Sequence, residues 1–312
     1  MNSNPRKVSY IYDENVGSYY YGEGHPMKPN RVRLAHNLIC GYELFQKMDV
    51  YEPTPASTDV LLGFHKKDYI DFLSTVSVDN SETTSTIGRR FGVGRLTDCP
   101  IFDGMYEFSK KVAGGSVGAA SLLEPGGSAD IAIHWAGGLH HAKRGEASGF
   151  CYVNDIVLGI LELLKHYERV LYIDIDVHHG DGVEEAFLAT PRVFTLSVHQ
   201  HAPDFFPGTG STRDVGAGPG KYYSLNVPLS SGMDDSSFEK MFNPIIDKIF
   251  ERYKPEAVVL QCGADSLAHD RLGKFNLTLH GHSQCVRKLK SCNVPLLLLG
   301  GGGYTTKNVA RC

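Results

Sequence analysis

The sequence predicts an α/β fold, in which a three-layer single domain has a central, mostly parallel sheet flanked by helices. Apolar runs such as 169–173 and 294–299 have the length and composition of buried parallel strands. Apolar residues at helical spacing lie between these runs. The chain has 312 residues, 42% of them hydrophobic, and neither a linker nor a repeat divides it. A single large core is therefore expected.

The elements follow in chain order. Helices around 31–46 and 67–75 are expected to cover one face of the sheet, and the polar stretch 79–86 is expected to be a surface loop. Strands are predicted from Ile131, over 169–173, from Ala257 and from Val294, with helices over 156–164 and 238–249 between them. This alternation of strands and helices predicts the parallel sheet.

The stretch from Asp174 to Gly182 places three carboxylates and two imidazoles directly after a predicted buried strand. Ionised carboxylates that leave water cost several kcal/mol each unless they are paired, hydrogen-bonded or bound to a cation, and no Lys or Arg lies nearby in the sequence. On an extended chain, Asp174, Asp176 and His178 would share one side. The pattern indicates a metal or acid/base site, with a solvated surface turn as the alternative.

Three further strand ends carry polar residues. His140 and His141 follow a glycine pair, Asp265 follows the strand from Ala257, and four glycines precede Tyr304. Loops at the carboxyl ends of parallel strands are where open α/β sheets bind ligands. Taken singly, each histidine could be a satisfied core residue, Asp265 could be a helix cap, and the glycines could bind a dinucleotide phosphate, although no G-x-G-x-x-G opens a helix there. The convergence of four strand ends favours one site.

The ordered segments 137–143, 146–155, 174–187, 206–210, 261–266 and 300–304 resemble those of the class I histone deacetylases, in the arginase/deacetylase superfamily. The resemblance runs from about Val8 to Cys312. It implies that 1–312 is a histone deacetylase catalytic domain, shortened at its C-terminal end. Such a domain hydrolyses the acetyl group from N6-acetyl-lysine in histones and other proteins, which leads to transcriptional repression.

The resemblance also implies a zinc site and the residues around it. A donor set of two carboxylates and one imidazole would accept Fe2+ as well. The implied metal ligands are Asp176, His178 and Asp265. The implied catalytic residues are His140 and His141, which transfer protons, Asp174 and Asp181, which orient them, and Tyr304, which donates to the oxyanion.

Three further groups of residues are implied by the same resemblance. The substrate-binding residues are Asp98, Gly149, Phe150, Phe206 and Leu272, with the two phenylalanines as the walls of a narrow channel. Structural K+ ions are expected near Ser197, beside Asp174, Asp176 and His178, and near Phe187, Thr190, Val193 and Tyr223. An inositol phosphate that bridges to a corepressor is expected at Lys28, Arg271 and Lys307.

Composition bounds the partners and the compartment. Seven cysteines, an odd number without C-x-x-C, favour a reducing compartment, and no apolar signal region opens the chain. The longest aliphatic run, 296–299, is far too short to span a membrane. A net charge of −4 argues against direct sequence-specific nucleic-acid binding and suits a basic partner such as an acetylated histone tail. The nucleus is expected, together with the cytoplasm, and corepressor subunits are expected partners.

Two alternatives stay open at this stage. An acetylpolyamine or arginase-like amidohydrolase would share the Asp-rich strand end, and a two-metal site of the arginase kind would need Asp174 and Asp181 as ligands instead of histidine partners. A catalytically idle scaffold of a corepressor complex is the other alternative.

Overall fold

All strands of the described chain lie in one parallel sheet. The computed structural model describes residues 6–312, so the first five residues of the predicted 1–312 domain lie outside it. The strands are β1 Val8–Ile11, β2 Asp49–Tyr51, β3 Ile131–His134, β4 Val170–Asp174, β5 Val193–Gln200, β6 Ser224–Leu229, β7 Ala257–Gln261 and β8 Leu296–Leu299. Their order in the sheet is β2-β1-β3-β8-β7-β4-β5-β6, and every pairing is parallel. The predicted mostly parallel sheet is therefore confirmed.

Helices connect these strands. They are α1 Asn30–Gly41, α2 Thr58–Leu62, α3 Lys67–Thr75, α4 Ser85–Arg90, α5 Met105–Ser121, α6 Asp155–Leu163, α7 Asp181–Phe187, α8 Asp235–Arg252, α9 Leu279–Ser291 and α10 Thr306–Arg311. Four of them begin behind capping side chains, Ser57 for α2, Asn154 for α6, Asp234 for α8 and Thr278 for α9, which accept backbone N–H groups of the first turn. Such caps satisfy donors that the helix itself cannot, and they fix where each helix begins.

The sheet has a helical layer on each face. Leu171 and Ile173 of β4 pack against α8 and α9, whereas Val170 and Tyr172 of the same strand pack against α5, α6 and α7. Successive side chains of a strand point to opposite faces, so a strand that is buried on both sides is apolar at nearly every position. The predicted three layers are confirmed.

The N-terminal region differs in detail from the prediction. The helix expected over 31–46 ends at Gly41, because Glu43 adopts a left-handed backbone conformation with φ 56°, and a 3-10 turn, Leu44–Lys47, leads into β2. The polar segment 79–86 consists of turns up to residue 84, and its last two residues begin α4. The helix expected over 67–75 is confirmed. Within residues 6–312, no helix has the length and apolarity needed to cross a membrane.

Candidate active site and metal centre

The four strands with polar ends are neighbours in the middle of the sheet, in the order β3-β8-β7-β4. Because the sheet is parallel, the loops that follow these strands meet at one edge. These loops carry the two histidines after β3, the glycines and Tyr304 after β8, Asp265 after β7, and Asp176 and His178 after β4. The strand order therefore assembles the four candidate segments into one site.

Asp176, His178 and Asp265 form a buried cluster whose possible ligand atoms all lie within 4.8 Å of one another. The Nδ1 atom of His178 is 3.0 Å from Oδ1 of Asp176 and 3.1 Å from Oδ2 of Asp265. Burial and the nearby Asp176 carboxylate raise the pKa of Asp265 to about 7. Two buried carboxylates that repel each other across an imidazole fit a divalent cation, and this donor set suits Zn2+ or Fe2+.

Backbone bends orient this cluster. Strand β4 ends at Asp174, so the expected alternation of side chains along an extended chain does not reach Asp176 and His178. Instead, the N–H group of His178 donates to Asp176 Oδ1 at 2.9 Å, and that of Val177 donates to Asp265 Oδ1 at 2.9 Å. Gln261 Nε2 and the Gly302 N–H group both donate to Asp176 Oδ2 at 2.9 Å. These bonds hold the carboxylates in place before any cation binds.

His140 belongs to a charged pair with Asp174. Its Nδ1 atom lies 2.7 Å from Asp174 Oδ2, and the Tyr172 hydroxyl donates to the same oxygen at 2.5 Å. Burial alone would disfavour the charged imidazolium, but the carboxylates of Asp174 and Asp176 outweigh it and raise the pKa of His140 to about 9. His140 is therefore protonated at neutral pH in the metal-free site.

His141 belongs to a second pair with the opposite charge state. Its Nδ1 atom lies 2.7 Å from Asp181 Oδ1, and Lys143 Nζ lies 2.7 Å from the other oxygen of Asp181. Burial, together with the His140 cation, lowers the pKa of His141 to about 3 despite Asp181. The two imidazole rings are only 3.9 Å apart between centroids. The site therefore holds one charged and one neutral imidazole side by side, which is an arrangement for proton transfer.

Tyr304 is held at the end of the tetraglycine loop by two residues that the sequence reasoning missed. Asp270 Oδ2 accepts the Tyr304 N–H group at 2.7 Å. The buried guanidinium of Arg31, from α1, donates to the Gly303 carbonyl at 2.5 Å and also to the Gly301 carbonyl. Nothing local marks an arginine on a half-exposed helix as a partner for a loop some 270 residues further along the chain. These contacts fix the loop beside the metal cluster.

Comparison with protein families matches residues 25–312 to the histone deacetylase domain. The chain belongs to the histone deacetylase family. Histone deacetylase 6 of Arabidopsis thaliana is 61% identical over 309 residues, which are 98% of this chain and 65% of that protein. Histone deacetylase 1 of Homo sapiens is 58% identical over 307 residues, 98% of this chain and 63% of that protein. Type-1 histone deacetylase 1 of Dictyostelium discoideum is 60% identical over 307 residues, which are 98% of this chain and 61% of that protein.

The predicted family is thereby confirmed. The chain spans somewhat less than two thirds of the length of these histone deacetylases, from 61% to 65%. The matched region includes the metal cluster, the two histidine pairs and every strand end that forms the site. It also includes every strand of the sheet except β1.

In this histone deacetylase family member, the five expected substrate residues surround the site. The Phe150 ring lies 5.7 Å from that of Tyr304, and the 41% exposed Phe206 ring lies 4.8 Å from that of His141. Gly149 lies against His141, where an added Cβ would be 2.3 Å from Cδ2, and its N–H group donates to Asp98 Oδ2 at 2.9 Å. Leu272 packs against the cluster that contains Tyr304.

Of the residues expected to bind K+, Ser197 pairs with Asp174 beside the site, whereas Val193 and Tyr223 lie at the opposite edge of the sheet, where β5 and β6 begin. Ser197, in β5, accepts the Gly180 N–H group at 3.3 Å. Thr190 donates its N–H group to the Phe187 carbonyl at 3.2 Å, and the Tyr223 carbonyl accepts the N–H group of Thr195, two residues after Val193. The K+ assignments stay predictions.

The expected inositol phosphate residues lie on three segments around the tetraglycine loop. Lys28 Nζ lies 5.1 Å from the centroid of the Tyr20 ring, and Arg271 and Lys307 are exposed. Asp270, next to Arg271, accepts the backbone N–H groups of Tyr304 and Thr305, so the segments of Arg271 and Lys307 are bonded together. This assignment also stays a prediction.

Proposed function

We propose that this chain hydrolyses the acetyl group of N6-acetyl-lysine in histones and other proteins. The observation that carries the proposal is the three-residue metal cluster beside two histidine–aspartate pairs. The family membership supports the same reaction. In the arginase-like alternative, Asp174 and Asp181 would be metal ligands, but here their carboxylates bond to His140, Tyr172, His141 and Lys143.

Asp176, His178 and Asp265 would hold the zinc ion on which this family depends, and Fe2+ suits the same donors. When bound, such an ion supplies Lewis acidity to the substrate carbonyl and lowers the pKa of a water molecule. The neutral His141 accepts a proton at Nε2, because Asp181 engages its Nδ1 atom. His140 gives a proton to the leaving amine as the C–N bond breaks, and it recovers one from His141, whose ring lies 3.9 Å away between centroids. The acetic acid formed passes its own proton to the amine, so the products are acetate and the lysine ammonium group.

The remaining site residues select the substrate and stabilise the transition state. Tyr304 donates its hydroxyl proton to the developing oxyanion, an interaction worth on the order of 3 kcal/mol in comparable sites. Phe150 and Phe206 border the entrance, so the four methylenes of the acetyl-lysine side chain pass between apolar rings. Asp98, exposed beside Gly149, accepts backbone amides of a bound peptide.

The finer assignments belong to the same proposal. Residues 1–312 act as one catalytic domain, and K+ ions at the Ser197 and Phe187 segments stabilise its fold. An inositol phosphate contacts Lys28, Arg271 and Lys307 and joins the domain to a corepressor subunit. The protein works in the nucleus, where deacetylated histones repress transcription.

The proposal is tested by measuring turnover and metal content on the same purified sample. We expect one transition metal per chain and release of acetate from an acetyl-lysine histone peptide, with little hydrolysis of acetylpolyamines or arginine. Asp265→Asn, which keeps the shape of a ligand but lowers its charge, should lose both metal and turnover. A folded protein with two metals per chain that hydrolyses arginine or acetylpolyamines, but not the peptide, would contradict the proposal. One that binds metal and corepressor without any turnover would support the scaffold instead.

Calorimetry tests the bridge separately. Corepressor binding should be tighter with inositol phosphate present, and Arg271→Ala should remove this gain while the metal stays bound. Equal affinities with and without inositol phosphate would exclude the bridge.

A further inference from the structure

The two histidine–aspartate pairs differ in the third group that completes them. In the first pair, the Asp174 carboxylate accepts a hydrogen bond from a neutral group, the Tyr172 hydroxyl, at 2.5 Å. In the second pair, the Asp181 carboxylate forms an ion pair with a cationic group, the Lys143 ammonium, at 2.7 Å. Lys143 follows His141 by two residues in the same loop. The loop is therefore attached to Asp181 at two points, once through the imidazole and once through the lysine.

The contacts leave the Asp181 carboxylate little freedom. Its Oδ1 atom accepts His141 Nδ1 at 2.7 Å and the Gly182 N–H group at 2.9 Å, while Oδ2 accepts Lys143 Nζ. Rotation of the carboxylate would break a charge-assisted hydrogen bond on one side or the other. The side chains of Asp181 and Lys143 are only 9% and 16% exposed, so water does not readily replace the lost partner.

Lys143 also supplies the positive charge that the buried Asp181 carboxylate requires. A buried carboxylate requires a positive partner, and the Lys143 ammonium lies 2.7 Å from the Asp181 carboxylate. Asp181 lies against a histidine that must stay neutral to accept a proton, so its positive partner has to come from elsewhere. Lys143 is placed to supply that charge without competing for the oxygen that orients the imidazole.

We propose that Lys143 is a positioning residue for the reaction, which acts through Asp181 to fix the orientation of His141. The inference rests on the proposed deacetylation. It assigns a function to an ion pair that would otherwise count as a structural contact. The second, looser contact of Lys143, with the 61% exposed Glu185 at 3.3 Å, plays no part in this function.

The test compares Lys143→Met with Glu185→Gln, Asp181→Asn and the double variant Lys143→Met/Asp181→Asn, all in the full metal-loaded chain. Lys143→Met should lower kcat by about tenfold or more while KM stays within about twofold and metal content is unchanged, as is typical when the partner that orients a functional side chain is removed. Glu185→Gln should keep kcat within about twofold. The double variant should be no slower than Asp181→Asn, because both changes remove the same interaction.

A spectroscopic measurement makes the test independent of turnover. The proton on His141 Nδ1, bonded to Asp181, should give a far-downfield NMR signal, assigned by its absence in His141→Ala. The signal should persist in Glu185→Gln and be lost or broadened in Lys143→Met. If wild type shows the signal but does not deacetylate the peptide, the proposed function fails while the positioning by Lys143 can still be judged.

Two outcomes would overturn the inference. One is a folded Lys143→Met variant with wild-type kcat and an unchanged His141 signal. The other is a multiplicative loss of kcat in the double variant. If Lys143→Met does not fold, Lys143→Gln takes its place, since it keeps a polar side chain without the charge. A wild-type kcat in that variant would refute the function of the ion pair just as directly.

Discussion

Gly302→Ala is the most direct test of the geometry of the metal centre. A Cβ atom built at Gly302 would lie 2.0 Å from Asp265 Oδ2 and 2.9 Å from Asp176 Oδ2, whereas ordinary contact begins at 3.4 Å. The Gly302 N–H group also donates to Asp176, so the loop cannot retreat without losing that bond. Either Asp265 rotates away from the cluster or the loop moves by more than 1 Å. Both changes disturb two of the three ligands.

We expect the affinity for zinc to fall by more than a hundredfold, about 3 kcal/mol, because changes to groups that only orient ligands already cost 10- to 100-fold. Competition with a chromophoric chelator measures this loss. Gly118→Ala, inside α5 with no atom within 4 Å of the added Cβ, is the matched control. It should keep the metal and gain about 0.5–1 kcal/mol of stability. A Gly302→Ala variant that binds zinc within about tenfold of wild type would refute the described cluster.

Three further predictions concern turnover, folding and pH. Tyr304→Phe should keep the metal and lower kcat by about a hundredfold, and unchanged turnover in steady-state assays would remove Tyr304 from the site. Arg31→Met leaves two buried carbonyls without a donor and should lower the free energy of unfolding in urea by about 2–4 kcal/mol, whereas the loss for Arg33→Met, on the same helix, should be below about 1 kcal/mol; equal losses would contradict the contact. Burial lowers the pKa of four histidines outside the two catalytic pairs to about 4 or about 3 in the folded state, so the unfolded chain takes up their protons first. The free energy of unfolding of the metal-free protein should therefore fall by about 1.4 kcal/mol per histidine per pH unit as the pH falls from about 6.5 towards 4. A free energy of unfolding in urea that does not change between pH 7.5 and 5.5 would contradict this. These histidines have a pKa of about 4 (His65, His282) or about 3 (His134, His199).

Local patterns in the amino-acid sequence were sufficient to predict most helices and strands and the candidate site residues. Buried parallel strands and amphipathic helices have local signatures, because periodicity and turn residues act over a few positions. The polar ends of β3, β4, β7 and β8 could therefore be read as one site, and the resemblance named the family that the comparison confirmed. The end of α1 was not predicted correctly, because the left-handed residue that follows the helix is Glu43 and not the glycine that usually marks such a position.

The groups that complete the site could be identified only from the three-dimensional arrangement of the chain. Strands β3, β8, β7 and β4 are neighbours although they are not consecutive in the chain, because burial of both faces of the sheet is a property of the whole fold. No Lys or Arg stands beside Asp174, Asp176 or Asp181 in the sequence, yet Lys143 reaches Asp181, and Arg31 reaches the carbonyls of the tetraglycine loop. Such partners depend on distances between side chains from remote segments, and no local pattern encodes those distances. The same placement makes one histidine charged and its neighbour neutral, although the two are adjacent in the sequence and identical in chemistry.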